Sequence, residues 1–141
     1  VVETVKKLNW VPDIIHVQGW LASMLPLYMK KYYKDETIFA DTKIVTSVFT
    51  KTFDQKLSEN MYEKVAFDGF EATDIEVLKD ATFENIMKNA IDFSDGVIVS
   101  SESISPDLTN YIETSGKPFL PFTPKEKMSE VYTDFYTNKV L

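Results

Sequence analysis

The sequence predicts an α/β fold, in which a parallel sheet carries helices on its faces. Short β-branched runs alternate along the 141 residues with segments whose apolar side chains recur at helical spacing. A helical crossover joins parallel strands, so no antiparallel hairpin is expected between any two of them. Four runs have the length and composition of strands: residues 14–17, 43–48, 96–99 and 118–120.

The first strand lies between two helical patterns. Residues 1–8 have apolar side chains at helical spacing, and the apolar run at 14–17 follows them. A second amphipathic pattern starts at Trp20 and continues to Lys31, although Pro26 interrupts it. We therefore predict a strand that leads directly into a helix.

The middle of the chain is the least regular part. After the strand at 43–48, residues 50–80 contain scattered Asn, Asp and Gly, with no long periodic pattern. Short helical turns are expected near 61–67 and 74–78. A long irregular connection that follows the carboxyl end of a strand is often functional, and its role here is left open.

The second half contains three helices with recognisable ends. Ser105 and Pro106 are typical of an N-cap and a first helical position, and Gly116 is typical of a helix end. Thr123 and Glu126 have the spacing of a capping box for the last helix. The apolar faces are Phe83, Ile86, Met87, Ala90 and Ile91 in the first helix, Leu108, Tyr111 and Ile112 in the second, and Met128, Val131, Tyr132, Phe135 and Tyr136 in the third.

Composition excludes several classes of function. The net charge is −7, and all fifteen basic residues are lysines that form no stripe, so a nucleic-acid surface is not expected. There is no cysteine and only one histidine, which excludes zinc fingers, thiol nucleophiles and His-rich metal sites. No apolar run approaches the ~20 residues of a membrane span. We expect a cytoplasmic protein with no metal, no cofactor and no membrane partner.

Polar residues and a glycine close the first strand, at the sheet edge where α/β proteins bind ligands. His16 is either a general base or sugar-hydroxyl partner, or a strand histidine satisfied by a backbone carbonyl. Gln18 and Gly19 either present an amide and backbone N–H groups to a ligand or form an ordinary turn. Trp20 either stacks on a sugar or anchors the helix to the sheet. These four residues are the candidate substrate-binding set.

Two other polar groups have simpler explanations. Asp92 and Asp95 suggest paired carboxylates near a helix end, but Asp95 followed by Gly96 is also a common turn. Ser100, Ser101 and Glu102 follow a strand, yet they lack the flanking glycines of a nucleophile elbow. No Gly-rich phosphate-binding loop is present.

Two motifs resemble those of the bacterial glycogen synthase and plant starch synthase family. The first is similar to Pro-Asp-(Ile/Val)-(Ile/Val)-His-x-His-Asp-Trp-His and lies at residues 12–21, with a Leu-x-Pro-x-Tyr-Leu-like helix at 25–29. The second is similar to Asn-x-x-Lys-x-x-Ile-x-x-(Ala/Ser)-Asp-x-Val-x-Thr-Val-Ser. Its matching positions are Asn85, Lys88, Ile91, Ser94, Asp95, Val97, Val99 and Ser100. The likeness covers roughly residues 1–108 and is weak beyond them.

The chain departs from the family pattern at central positions. Gln18 replaces the second His of the first motif, and Gly19 replaces its Asp. The catalytic His that the family carries in a Thr-(Ile/Val)-His-Asn motif falls on Phe49. The Lys-x-Gly-Gly-Leu loop and the second Rossmann-like domain of the family are not in this sequence. In these respects the chain resembles the shortened, single-domain glycogen synthase-like proteins of some anaerobic bacteria.

The resemblance implies a function and leaves one alternative. The family transfers glucose from ADP-glucose to an α-1,4-glucan, so a nucleotide sugar and an α-glucan are the implied partners, and ADP-glucose is a donor substrate rather than a cofactor. His16 and Trp20 would line the sugar cleft. The catalytic residue is unknown, because its position is Phe49. The alternative is a non-catalytic glucan-binding or partner-binding module derived from a glycogen synthase.

The resemblance also places the chain within a larger protein. We expect residues 1–141 to be a single Rossmann-like unit, the C-terminal half of the N-terminal catalytic domain of a B-type glycosyltransferase. The sequence starts at Val1 within a helical pattern, which suggests a preceding half, whereas its last helix resembles a natural end. The first strand would then have an exposed edge, filled by that N-terminal half or by a second copy in a homodimer.

Overall fold

A computed structural model describes residues 1–141, and at its centre lies a four-stranded parallel sheet. The strands are adjacent in chain order, β1-β2-β3-β4, and every neighbouring pair is parallel. Their bounds are Ile14–Gln18 (β1), Lys43–Val48 (β2), Gly96–Val99 (β3) and Phe119–Leu120 (β4). The predicted α/β class, strand positions and direction are confirmed.

Helices connect the strands and cover both faces of the sheet. The α-helices are Val2–Lys7 (α1), Leu25–Leu27 (α2), Met61–Ala66 (α3), Ala72–Ile75 (α4), Phe83–Asp92 (α5), Pro106–Thr114 (α6) and Met128–Phe135 (α7). Tighter 3₁₀ turns lie at Trp20–Ala22, Thr37–Phe39, Glu76–Lys79 and Lys125–Lys127, and wider π turns at Tyr28–Tyr32 and Tyr136–Val140. The helical turns predicted near 61–67 and 74–78 are confirmed. No helix is long and apolar enough to cross a membrane.

The helix predicted after Trp20, with its interruption at Pro26, is present as three short helical segments. A 3₁₀ turn at Trp20–Ala22 comes first, then α2, and the chain widens into the π turn at Tyr28–Tyr32. Pro26 lies in the first turn of α2, where its missing N–H has no intrahelical partner in any case. The proline therefore marks the start of a new helical segment within the expected one.

Two of the three predicted helix ends are confirmed. Ser105 Oγ accepts a hydrogen bond from Leu108 N–H at 3.3 Å at the start of α6. Gly116 follows that helix with φ of +72°, a conformation that favours glycine. The predicted capping box is wrong, because the hydroxyl of Thr123 donates instead to the carbonyl oxygen of Pro121 (3.2 Å). The last helix therefore begins without a side-chain cap, as a 3₁₀ turn.

Each face of the sheet has its own core. Helices α5 and α6 cover one face, where Val48 and Val97 pack against Met87, Ile91 and Leu108. The other face is covered by α7 and the turn after it, where Phe135 and Val140 pack against Val45 and Ile98. Because side chains alternate along a strand, His16, Ser47 and Ser100 belong to the face that α7 covers.

Gly96 lies directly under the C-terminal helix. A Cβ atom at this position would lie 3.0 Å from Val140 Cγ2 and 3.3 Å from Phe135 Cζ, closer than side chains normally approach. Gly96 has no side chain, so the turn at Tyr136–Val140 can rest on the backbone of β3. Gly96, the first residue of β3, therefore also sets how closely α7 approaches the sheet.

Candidate functional site

The carboxyl ends of β1, β2 and β3 meet at one edge of the sheet. Gln18 closes β1, Phe49 follows β2, and Ser100 follows β3. The backbone ties the first two ends together, because Gly19 N–H donates to the carbonyl oxygen of Ser47 at 3.4 Å. Ligands of parallel α/β sheets bind outside this edge, which makes it the candidate site.

His16 has hydrogen-bond partners on both ring nitrogens. Nε2 lies 2.7 Å from Ser47 Oγ, and Nδ1 lies 2.8 Å from the phenol oxygen of Tyr136. Ser100 Oγ donates in turn to Ser47 Oγ at 2.9 Å. The result is a chain of four polar side chains that crosses three strands and ends on the C-terminal helix.

Either tautomer of a neutral His16 satisfies both contacts. A hydroxyl both donates and accepts, so Ser47 Oγ and the phenol oxygen of Tyr136 can each complement a protonated or an unprotonated ring nitrogen. One nitrogen of the neutral ring donates and the other accepts, and both have a partner within the protein.

Burial favours this neutral ring. Desolvation lowers the pKa of His16 below its usual 6.5, because the charged imidazolium loses hydration in its half-buried position. Burial likewise raises the pKa of Tyr136. Of the two interpretations of His16, the satisfied strand histidine is nearer to this geometry, although its partners are two hydroxyls rather than a backbone carbonyl. In this arrangement neither nitrogen is free to take a proton from a sugar.

Gln18 and Gly19 lie at the open end of β1. The Gln18 side chain is exposed and forms no hydrogen bond within the chain, so its amide is available to a ligand. Gly19 has φ of +73° and ψ of 172°, a backbone region that is essentially restricted to glycine. An aspartate at this position, as in the motif of the related synthases, would therefore strain the turn.

Trp20 and Phe49 present apolar surface near the same edge. The Trp20 ring lies edge-to-face on Phe53, with centroids 5.0 Å apart, and packs against the core under α5 and α6. This placement agrees with the helix-to-sheet anchor interpretation. Phe49 is half-buried directly after β2 and carries no group that hydrogen-bonds a sugar. His16, Gln18, Gly19 and Phe49 are thus brought to one edge, and Trp20 faces inward beside them.

The two aspartates lie at the opposite end of the sheet, where they have structural partners. Asp95 Oδ2 accepts from Ile44 N–H and from Lys30 Nζ, both at 2.8 Å, and so joins β2 to the segment before β3. Asp92 Oδ1 accepts from Tyr111 Oη at 2.6 Å. They are not a carboxylate pair at the candidate site.

Sequence reasoning missed three members of the His16 network. The sequence assigns Ser47 to a strand, Ser100 to the residues that follow a strand, and Tyr136 to the apolar face of the last helix, with no role at the site for any of them. The alternation of side chains contains a usable signal, because His16 and Ser47 are polar residues at inward positions of strands that are otherwise apolar. Tyr136 lies 120 residues from His16, so no local pattern connects them.

Comparisons with known proteins place this geometry in context. The family model described as "Starch synthase catalytic domain" matches residues 1–116. The glycogen synthase of Clostridium perfringens is 29% identical over 113 residues, which cover 77% of this chain and 22% of that protein. The glycogen synthase of Chlorobaculum parvum is 29% identical over 119 residues, covering 82% of the chain and 23% of that protein. The glycogen synthase of Chlorobium limicola is 46% identical over 48 residues, covering 34% and 10%.

The chain therefore spans about a fifth of the length of the first two relatives. No solved structure matches it. The family match ends before β4 and α7, so the helix that contacts His16 lies outside the matched region.

We predict that acid weakens the fold through His16. Because the folded pKa lies below the unfolded value near 6.5, the unfolded chain binds the proton more readily. The stabilisation is complete above about pH 6.5 and is lost as the pH falls toward the folded pKa. The free energy of unfolding, measured in urea, should fall more between pH 7.5 and pH 5.5 for the wild type than for His16→Gln, which cannot titrate. Equal losses in the two proteins would mean that His16 is solvated like a free histidine.

Proposed function

The chain belongs to the glycogen and starch synthase family, and from that premise we propose that it is a glucan-binding module that does not itself transfer glucose. The observation that carries this proposal is Phe49, at the position where the family's Thr-(Ile/Val)-His-Asn motif has its catalytic histidine. A benzyl ring neither donates nor accepts the hydrogen bonds that a transferring sugar needs. The sugar-binding edge is kept, and the group that acts on the sugar is absent from it.

The surroundings of Phe49 support the same reading. Both nitrogens of His16 are bonded within the protein, so this histidine does not replace the missing one. The turn at Gly19 suits glycine and not the acidic residue of the motif. The chain also contains no arginine, the side chain best suited to clamp a diphosphate. A neutral glucan therefore suits this edge better than a nucleotide does.

The second candidate is a glycogen synthase-like enzyme in which this chain supplies one part of the site. The family match across residues 1–116 and the relatives named glycogen synthase favour it. The reaction would be retaining glucosyl transfer from ADP-glucose to an α-1,4-glucan, with no other cofactor. Groups outside these residues would bind most of the donor, while His16, Gln18, Gly19 and Trp20 line the sugar cleft.

We also propose that the free edge of β1 pairs with a further strand. β1 is bonded only to β2, so its other row of N–H and C=O groups has no neighbouring strand. Large apolar side chains are exposed in the segments that flank β1 along the chain: Leu8, Trp10 and Val11 before the strand, and Leu21 in the turn after it. The occupant is the N-terminal half of a synthase-type domain, or a second copy of this chain where that half is absent.

We predict that the 141-residue chain transfers no glucose. Purified protein is incubated with ADP-glucose and maltoheptaose, and both ADP release and chain extension are measured. The glycogen synthase of Clostridium perfringens serves as the positive control. Phe49→His should also remain inactive, because one imidazole does not supply the donor-binding groups. Extension of the oligosaccharide by the isolated chain would favour the second candidate.

We predict that the chain associates in solution through the β1 side. Burial of an aliphatic side chain contributes about 1.5–3 kcal/mol, so several apolar side chains exposed together favour association. Light scattering should give a dimer or larger species, and Trp10→Glu with Leu21→Glu should shift it toward monomer. Phe67→Glu is the matched control, because Phe67 is also exposed but follows α3 and does not flank β1. A wild-type monomer that melts cooperatively would contradict the pairing.

A further inference from the structure

A cavity of about 500 Å³ lies on the α6 side of the sheet, away from the edge of β1. It opens between α6, the loop that follows β3, and the edge strand β4. Its volume is within the range of about 300–1,000 Å³ that small-molecule sites occupy. Its lining includes the apolar side chains of Phe119 and Phe122 and the carboxylates of Glu102 and Glu113.

Two phenylalanine rings form one wall of this cavity. Phe119 pairs with Val97 in the sheet, which directs its side chain to the same face as α6. Phe119 and Phe122 are 40% and 39% exposed, although most of the other large apolar residues in the sheet and its covering helices are fully buried. Both rings belong to the segment beyond the family match, which ends at residue 116.

The polar lining carries negative charge only. Glu102 and Glu113 are exposed and take part in none of the ion pairs of the chain, and no lysine lines the cavity. Two unpaired carboxylates repel phosphates and other anions. A purely apolar occupant would leave these two carboxylates and the other polar groups of the lining without a hydrogen-bond partner in the ligand. The cavity therefore suits a ligand with an apolar face, several hydrogen-bond donors and no negative charge.

We propose that this cavity is a glucan subsite, in which a glucose ring lies on Phe119 and Phe122. The C–H face of a sugar supplies the apolar surface, and its hydroxyls supply donors for the carboxylates of Glu102 and Glu113. The chemistry of the lining selects this ligand class, and the choice of an α-glucan rests on the proposed function above. The subsite would hold a glucan chain beside β4, at the opposite edge of the sheet from β1.

The test is a titration of the ¹⁵N-labelled full chain with maltoheptaose, followed by amide NMR. Amides of residues 99–122 should shift, and the dissociation constant should increase about tenfold in Phe119→Ala, the loss that corresponds to about 1.4 kcal/mol. The variant Glu102→Gln with Glu113→Gln should bind about threefold or more weakly and keeps both apolar walls intact. Phe67→Ala is the control for loss of an exposed phenylalanine elsewhere and should bind like the wild type.

The outcomes separate this subsite from the proposed function. Shifts limited to residues 16–20 would leave the glucan-binding module in place and overturn the subsite. Shifts limited to residues 99–122 would support the subsite and count against binding at the β1 edge. The subsite would also be overturned if no amide shifts at either place. The same holds if a lysine-rich peptide binds at residues 99–122 and the oligosaccharide does not. Normal binding by Phe119→Ala with a native spectrum would do the same.

Discussion

The close packing of the C-terminal helix on Gly96 is the constraint on which the rest of the sheet face depends. The missing Cβ lets Val140 and Phe135 lie against β3, and that contact sets the distance between the helix and the strands. At this distance Tyr136 reaches His16, which itself bonds to Ser47 on the next strand. His16, Val45 and Gly96 are in register on β1, β2 and β3, so the segment that packs on Gly96 also brings Tyr136 to His16.

This contact changes what the motif at the end of β1 can do. His16 lies where the resemblance implies a sugar cleft, but burial keeps it neutral and its two nitrogens serve the fold. Gly19 and Phe49 stand where the motifs carry acidic and imidazole groups, so these two positions supply neither group.

The sheet was predictable from sequence because its signals are local, and the site was less so because its contacts are distant. Apolar runs and the N-cap at Ser105 located the strands and α6, since each depends on neighbouring residues. The pattern after Trp20 indicated the helical region and its interruption at Pro26, but not its division into 3₁₀, α and π segments. The capping box at Thr123 was wrong because a local pattern does not show which carbonyl oxygen a hydroxyl contacts. The contact of Tyr136 with His16 joins the two ends of the chain, and only the packed fold reveals it.

The pKa of the single histidine in Gly96→Val, measured by NMR beside the wild type, tests this account most directly. A valine at this position suits a strand but places carbon atoms where Val140 and Phe135 lie, so the helix must move away from the sheet. The account predicts a wild-type pKa below 6.5 that returns toward 6.5 in Gly96→Val and stays unchanged in Thr137→Ala, a surface control on the same segment. A wild-type pKa at 6.5, or no change in Gly96→Val, would contradict the link between helix packing and the state of His16.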